Sequence, residues 1–203
     1  MKISYAVTTH NEGHSIQKLL ERLNSFKRVD DEIIILDDNS TDIDTINILK
    51  KNNNVFSHKF NNNFSDHKNY LNSLCSKDYI FQFDGDELPT ISLLKFMEIT
   101  LSNVSKVDLF WIPRENKLYD LDKNYIKKLN WKLDKQNRIN YPDYQGRCFK
   151  RCDHIKWTRP VHEIITGHKS QMVLPQNSNL DIIHHRHMTH QIRSNKFYDE
   201  TFK

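Results

Sequence analysis

The sequence has 203 residues with 30 Lys and Arg against 26 Asp and Glu, a net charge of +4 with histidine neutral, which is too mild to mark a nucleic-acid binder. Its 37% apolar content suits an ordinary soluble domain, 4 Gly and 5 Pro exclude collagen-like and linker chains, and 3 Cys, an odd number, argue for a reducing, cytoplasmic setting rather than a disulfide scaffold. No apolar run approaches the ~20 residues of a membrane span, and Met1 to Val7 gives way to polar Thr8-Thr9-His10 too soon for the core of a secretory signal.

The first half alternates strand-like and helix-like segments. Ile3–Thr8 and Glu32–Asp37 are short, β-branched and apolar on both faces, as central parallel strands are. Between them Ser15–Phe26 sets Ile16, Leu19, Leu20 and Leu23 at helical spacing, with Ser15 as cap. Asn39-Ser40-Thr41-Asp42 opens a second helix carrying Ile43, Ile46 and Leu49. Val55–Phe60 reads as a strand, Asp66–Cys75 as a helix, Tyr79–Phe83 as a strand, Thr90–Leu101 as a helix and Val107–Ile112 as a fifth strand. This alternation predicts right-handed βαβ crossovers in a mostly parallel sheet, with ligands beyond the carboxyl ends of the strands. Those ends carry Thr8–Glu12, Asp37-Asp38 and Asp84–Glu87.

The second half is less regular. Residues 115–141 are rich in Lys and Asn, with a helix expected over Tyr125–Leu133. Arg147–Lys150, Ile155–Ile165, Gln171–Leu174 and Leu180–Ile183 are strand-like, and Gln191–Phe202 reads as a terminal helix.

Two readings stand for each acidic cluster. Asp84-Gly85-Asp86 at a strand end can bring carboxylates to one hard cation whose shell a diphosphate completes, or it can be an acidic turn. Asp37-Asp38-Asn39-Ser40-Thr41-Asp42 can accept hydrogen bonds from a ribose or base, or cap a helix through Asn, Ser or Thr. The two uses are compatible.

Taken together, these segments resemble family 2 glycosyltransferases. Thr8-Thr9-His10-Asn11-Glu12 stands where that family has Pro-Thr-Tyr-Asn-Glu, and Asp37-Asp38-Asn39-Ser40-Thr41-Asp42 matches its Asp-Asp-Gly-Ser-Thr-Asp. Asp66-His67-Lys68-Asn69 falls at its Ala-Arg-Asn, and Tyr79–Glu87 at the strand ending in Asp-x-Asp. The resemblance implies an α/β GT-A fold with a mostly parallel central sheet flanked by helices. It implies one domain over residues 1–203, with 1–112 binding the nucleotide-sugar and 113–203 supplying the acceptor and catalytic half. Thr8, His10, Glu12 and Asp38 would surround the nucleoside of a donor, in this family often a UDP-sugar, with Asp37 beside it. Lys68 would lie near base or phosphates, Asp84 would meet sugar or ribose, and Asp86 would hold Mn²⁺ or Mg²⁺. Thr8 for proline, His10 for an aromatic and Lys68 for arginine depart from the family pattern, and lysine gives up planar bidentate donation.

Trp157-Thr158-Arg159-Pro160-Val161-His162-Glu163 resembles the Val-His-Glu element of lipopolysaccharide- and lipooligosaccharide-type members. It implies Glu163 as the base that inverting transfer requires, oriented by His162, with Asp143 and Glu87 as rival acids. Trp157 is a candidate floor for a sugar ring or a core residue. Ile182-Ile183-His184-His185-Arg186-His187-Met188 resembles the same subgroup's Ile-x-His-Tyr-Gly-Tyr, which implies His184 as a second metal ligand and Arg186 as a contact to diphosphate or acceptor. A separate zinc site of His184, His187 and His190 is the alternative. Cys148 and Cys152 read as buried small residues.

Lys123, Lys127, Lys128, Lys132, Lys135 and Arg138 surround Ile126, Leu129 and Leu133, as in a helix that packs on its domain or rests peripherally on an anionic membrane or polyanionic acceptor. The expected reaction is therefore metal-dependent, inverting transfer of a hexose from a nucleotide-sugar to a saccharide or lipid-linked saccharide acceptor. Two alternatives remain, a glycosyltransferase acting on hydroxylated bases of phage DNA and a non-catalytic nucleotide-sugar-binding module.

Overall fold

In the computed structural model, residues 1–104, 106–176 and 179–201 are described. The expected Ile3–Thr8 strand is β1 (Ile3–Thr9), followed by α1 (His14–Phe26), β2 (Glu32–Asp37), α2 (Ile43–Leu49), β3 (Val55–Ser57), α3 (Phe64–Leu74) and β4 (Tyr79–Asp84). Then come β5 (Glu87–Pro89), α4 (Ile91–Asn103), β6 (Leu109–Tyr119), α5 (Lys123–Lys128) and β7 (Arg138–Lys150). The chain closes with β8 (Lys156–Thr158), β9 (Ile164–Thr166), β10 (Gln171–Val173), β11 (Ile182–His187) and α6 (Met188–Thr201).

One sheet of nine strands runs β3-β2-β1-β4-β7-β6-β11-β5, with β10 on β6, and β8 and β9 form a separate hairpin. β3, β2, β1 and β4 are parallel, as the alternation predicts, while β7 enters antiparallel to both β4 and β6. Both faces of β1 are buried: Ile3, Tyr5 and Val7 join Leu19, Leu23 and Met97 on one side, and Ala6 joins Leu71, Ile80 and Trp157 on the other. This is the period-2 alternation of a central strand, which explains why apolar Tyr5, Ala6 and Val7 follow one another.

Local chemistry moves several expected boundaries. Ser15 does not cap α1: Gly13 occupies that position at φ 50, and the Ser15 amide donates to the Glu12 carbonyl. The cap of α2 is Asp42, whose carboxylate accepts from the Thr45 amide and hydroxyl. α5 stops well short of Leu133 because the chain turns through left-handed Asn130 (φ 57). The polar stretch around it belongs to two long strands, β6 and β7, whose backbones pair with each other as far as Lys117 and Arg138. The single strand expected over Ile155–Ile165 is the β8–β9 hairpin, turned through Arg159 (φ 75) and His162 (φ 50).

Register aligns the chemistry. Thr9 pairs with Asp37 and Thr8 with Asp84, so the polar ends of β1, β2 and β4 lie along one edge. After the turn at Gly85 the chain re-enters the sheet as β5, where Glu87 pairs with His184, and His184 pairs with Asn116 on its other side. No helix among the described residues is long and apolar enough to cross a membrane.

Candidate active site

Along β11 successive side chains alternate between faces. His184 and Arg186 share the face toward Asp86, where His184 Nε2 lies 3.0 Å and Arg186 Nη2 2.8 Å from Asp86 Oδ2. His185 and His187 take the other face, where His185 meets the Tyr119 hydroxyl at 2.7 Å and His187 meets Asp120 at 2.8 Å. The zinc alternative is thereby corrected: His184 and His187 diverge across the sheet, and no cluster of three or more metal-ligating side chains occurs among the described residues.

The tautomer of His184 follows from its neighbours. The Asn116 amide nitrogen donates to Asp143 Oδ2 at 2.9 Å, which leaves its Oδ1 to accept from His184 Nδ1, also at 2.9 Å. His184 Nε2 thus faces Asp86 Oδ2, and their 3.0 Å separation suits cis ligands of one divalent ion. Arg186 donates to the same oxygen. Burial would raise the Asp86 carboxyl, but His184 and Arg186 hold it below the ordinary range.

Asp84 faces a different set of partners. Its Oδ1 accepts from the Thr8 hydroxyl at 3.0 Å and its Oδ2 from Arg147 Nη2 at 2.8 Å. Arg147 is 2% exposed and also donates to Glu87 at 2.6 Å, where Arg114 joins it at 3.1 Å. Burial would raise Asp84, yet the charges of Arg147 and Lys68 hold it well below the usual carboxylate range. Gly85 between the two aspartates is closely packed: a Cβ there would sit 3.0 Å from Glu12 Oε2 and 3.1 Å from Thr9 Oγ1. Glu12 accepts from the Thr9 hydroxyl and the His10 amide, and burial pushes its carboxyl up.

The rest of the strand-end loops are held by short side chains. Asp38 accepts from the Phe60 amide at 2.7 Å, and the exposed His10 ring meets the Asp38 carbonyl at 2.7 Å. Asn11, at φ 60, accepts from the amides of Thr41 and Asp42 and so ties the first loop to the second. Asp37, expected beside the nucleoside, accepts from the amide and hydroxyl of Ser40.

Glu163 sits in the β8–β9 turn. Asn69 of α3 pins that hairpin by donating to the Trp157 carbonyl and accepting from its amide, both at 2.9 Å, and the Phe64 amide holds the Pro160 carbonyl at 2.8 Å. The adjacent Lys68 then reaches Glu163 Oε1 at 2.5 Å and stands 3.9 Å from Asp84. His162, expected to orient Glu163, makes no hydrogen bond to it; Lys68 holds that position. Trp157 is 7% exposed, donates to Gln82 at 2.9 Å and lies under the Lys68 ammonium, so it is a core residue and a floor for Lys68 rather than an open sugar platform.

The rival acids are engaged on both oxygens. Glu87 is 1% exposed, with one oxygen on Arg114 and Arg147 and the other on the Asp84 amide. Asp143 accepts from Arg114 and Asn116 on Oδ2 and from Gln145 on Oδ1. Glu163 Oε2 has no hydrogen-bond partner among the described residues. Of the three carboxylates, Glu163 alone keeps an oxygen for an incoming hydroxyl.

Sequence reasoning missed Arg114, Asn116, Arg147 and Tyr198. Arg147 had a signal, an arginine next to apolar Cys148 and Phe149 in a strand, where a buried charge demands partners. Tyr198 of α6 had none: its ring lies 6.3 Å from that of His162 and 5.9 Å from that of Phe64, so α6 reaches over the Glu163 turn.

The family model for glycosyl transferase family 2 matches residues 4–189. The chain belongs to that family. Its fold is that of a GT-A glycosyltransferase, shared with solved structures of S. aureus TarS. The TarS 1-349 complex with UDP has 16% identity and TM-score 0.62, covering 91% of this chain and 60% of TarS 1-349. The complex with UDP-GlcNAc gives 16% identity and TM-score 0.54, covering 89% and 60%. Glucosyl-3-phosphoglycerate synthase from Mycobacterium tuberculosis, with Mg²⁺ and UDP, gives 16% identity and TM-score 0.50, covering 74% and 56%. This family 2 chain thus spans about three fifths of the length of the TarS fragment it matches. No curated protein matches it.

Proposed function

We propose that this family 2 glycosyltransferase moves a hexose from a UDP-sugar to an acceptor hydroxyl with inversion, with Glu163 as base. The observation that carries the reading is the convergence of Asp84, Asp86, His184 and Glu163 on one sheet edge, with a free oxygen on Glu163 alone among the candidate acids. The UDP and UDP-GlcNAc complexes of TarS support the donor class.

Thr8, His10, Glu12 and Asp38 line the nucleoside side of the edge, and Asp84 faces the sugar or ribose. Asp86 and His184 fit a divalent cation, Mn²⁺ or Mg²⁺, which when bound neutralises the charge that develops on the departing diphosphate. Two protein ligands suffice for such an ion because phosphate oxygens and water fill the remaining positions. Arg186, released from Asp86, is placed to donate to the diphosphate. Glu163 Oε2 takes the acceptor proton as the hydroxyl oxygen bonds to the anomeric carbon and the bond to the diphosphate oxygen breaks. Lys68 holds Glu163 in place through its hydrogen bond to Oε1. A surface saccharide or lipid-linked saccharide acceptor, and kinship with the Val-His-Glu subgroup, are the finer parts of this reading, supported by the sequence match at 161–163.

The test is thermal unfolding with UDP, GDP and CDP, each with and without Mn²⁺, in the wild type and Asp86→Ala. A ligand at 100 times its Kd adds about 2.7 kcal/mol, a shift of several degrees for a chain of this size. A UDP shift that needs both Mn²⁺ and Asp86 is expected; no shift with any nucleotide sinks the donor site. Turnover lost in Glu163→Gln with the UDP shift intact separates an enzyme from a binding module.

A further inference from the structure

Between Arg114 and Asn140 the chain carries eight Lys and Arg against four Asp and Glu, an excess equal to the net +4 of the whole sequence. The remainder of the protein is neutral, so its positive field originates in the arm formed by the ends of β6 and β7 and by α5. The acids of the arm are all engaged. Glu115 pairs with Lys117 at 2.9 Å, Asp120 with His187 at 2.8 Å, Asp134 with Arg138 at 2.7 Å, and Asp122 caps α5. Arg114 turns inward to Glu87 and Asp143. Five lysines are left, Lys123, Lys127, Lys128, Lys132 and Lys135, all exposed and without an acidic partner among the described residues.

The arm is a built scaffold. Leu118, Ile126, Ile139 and Met188 form a core of their own under it, and the Lys132 amide and carbonyl are both held by Asn140. Its root is the candidate active site, since Asn116 holds His184. A strand rises ~3.3 Å per residue, so Tyr119 stands about 10 Å beyond Asn116 and the lysines begin four residues later.

We propose that this arm binds the acceptor's own chain, and that the chain is a polyanion bearing phosphates or carboxylates. The proposal rests on the glycosyltransferase reading and names its acceptor class. Lysines recognise charge density without the planar fork of arginine, as suits a flexible anionic polymer presenting many equivalent groups. A membrane is the poorer occupant. A helix lying on lipid needs a free apolar face, and in α5 Ile126 is 7% exposed and packed into the arm core.

The test measures anisotropy of labelled long-chain inorganic polyphosphate with the full chain across a salt series. The variant replaces Lys123, Lys127, Lys128, Lys132 and Lys135 by Gln. A charge-matched control replaces exposed Lys50, Lys51, Lys95, Lys106 and Lys156 by Gln. Binding at least tenfold weaker in the arm variant and little changed in the control is expected. The slope of log K against log salt should fall by about three, because each phosphate contact releases condensed counterions. Equal losses in both variants overturn the proposal. So does tighter binding, at equal anionic charge, to phosphatidylglycerol vesicles or to duplex DNA. The UDP and Mn²⁺ shift is read on the same samples. Its absence in the wild type refutes the glycosyltransferase reading and the acceptor assignment with it, whereas its presence beside arm-independent binding refutes this inference alone.

Discussion

Lys68 and Glu163 are 95 residues apart in the chain and 2.5 Å apart in the fold. Each is largely buried, with side chains 8% and 16% exposed, so removing Lys68 leaves Glu163 as an uncompensated charge near Asp84. Lys68→Met is expected to lower stability by about 3 kcal/mol, measured by urea unfolding, because breaking a buried pair costs more than replacing it whole. Glu163→Gln keeps an acceptor for Lys68 and should cost less. Its turnover should fall about 10²- to 10⁴-fold, the usual contribution of a general base.

Arg186 competes for the oxygen that His184 addresses. In Arg186→Gln, Mn²⁺ followed by electron paramagnetic resonance should bind more tightly without nucleotide than in the wild type. The added stabilisation by UDP should shrink, since the diphosphate loses its donor. Unchanged binding in both conditions would remove Arg186 from the site.

Asn116→Leu tests the orientation of His184. The substitution removes the acceptor at Nδ1 and frees the imidazole to rotate or to take the other tautomer. Loss of such an outer partner lowers metal affinity about 10- to 100-fold, and Mn²⁺ titration of the variant should show it. The fold should persist, because Asp143 retains Arg114 and Gln145.

Gly85→Ala places a methyl 3.0 Å from Glu12 Oε2 and 3.1 Å from Thr9 Oγ1. Either the Glu12 hydrogen bonds open or the aspartate loop moves. The expected result is a weaker UDP-dependent thermal shift with only a small change in the ligand-free midpoint. A wild-type shift would show that the loop gives way without consequence.

Asp181 reports on pH. It is fully buried, accepts from the Tyr141 hydroxyl at 2.9 Å, has no partner for Oδ2 among the described residues, and burial pushes its pKa up to about 6. The native state therefore keeps a proton that the unfolded chain releases near pH 4. Stability from this group is complete below pH 4 and declines as pH rises through about 6. Asp181→Asn should flatten that decline, read as unfolding midpoints between pH 4 and 8. Parallel curves for variant and wild type would exclude the assignment.

The sequence by itself determined the parallel half of the sheet and the loops at its edge. Apolar runs ending at Thr8, Asp37 and Asp84 can only be central strands, and parallel strands put those ends together. Glu163 and His184 became candidates only through motif likeness, since no periodicity distinguishes a functional His from a surface one. The tertiary structure decided which groups were free to act. Asp37, Glu87 and Asp143 look as available as Glu163 when written in a line, and only the fold shows Ser40, Arg114, Arg147 and Gln145 already bonded to them. The same holds for the histidine run, whose members separate because a strand sends neighbours to opposite faces. Hydrogen-bond capacity is a local property of a residue, but whether it is already filled depends on partners brought in from distant parts of the chain.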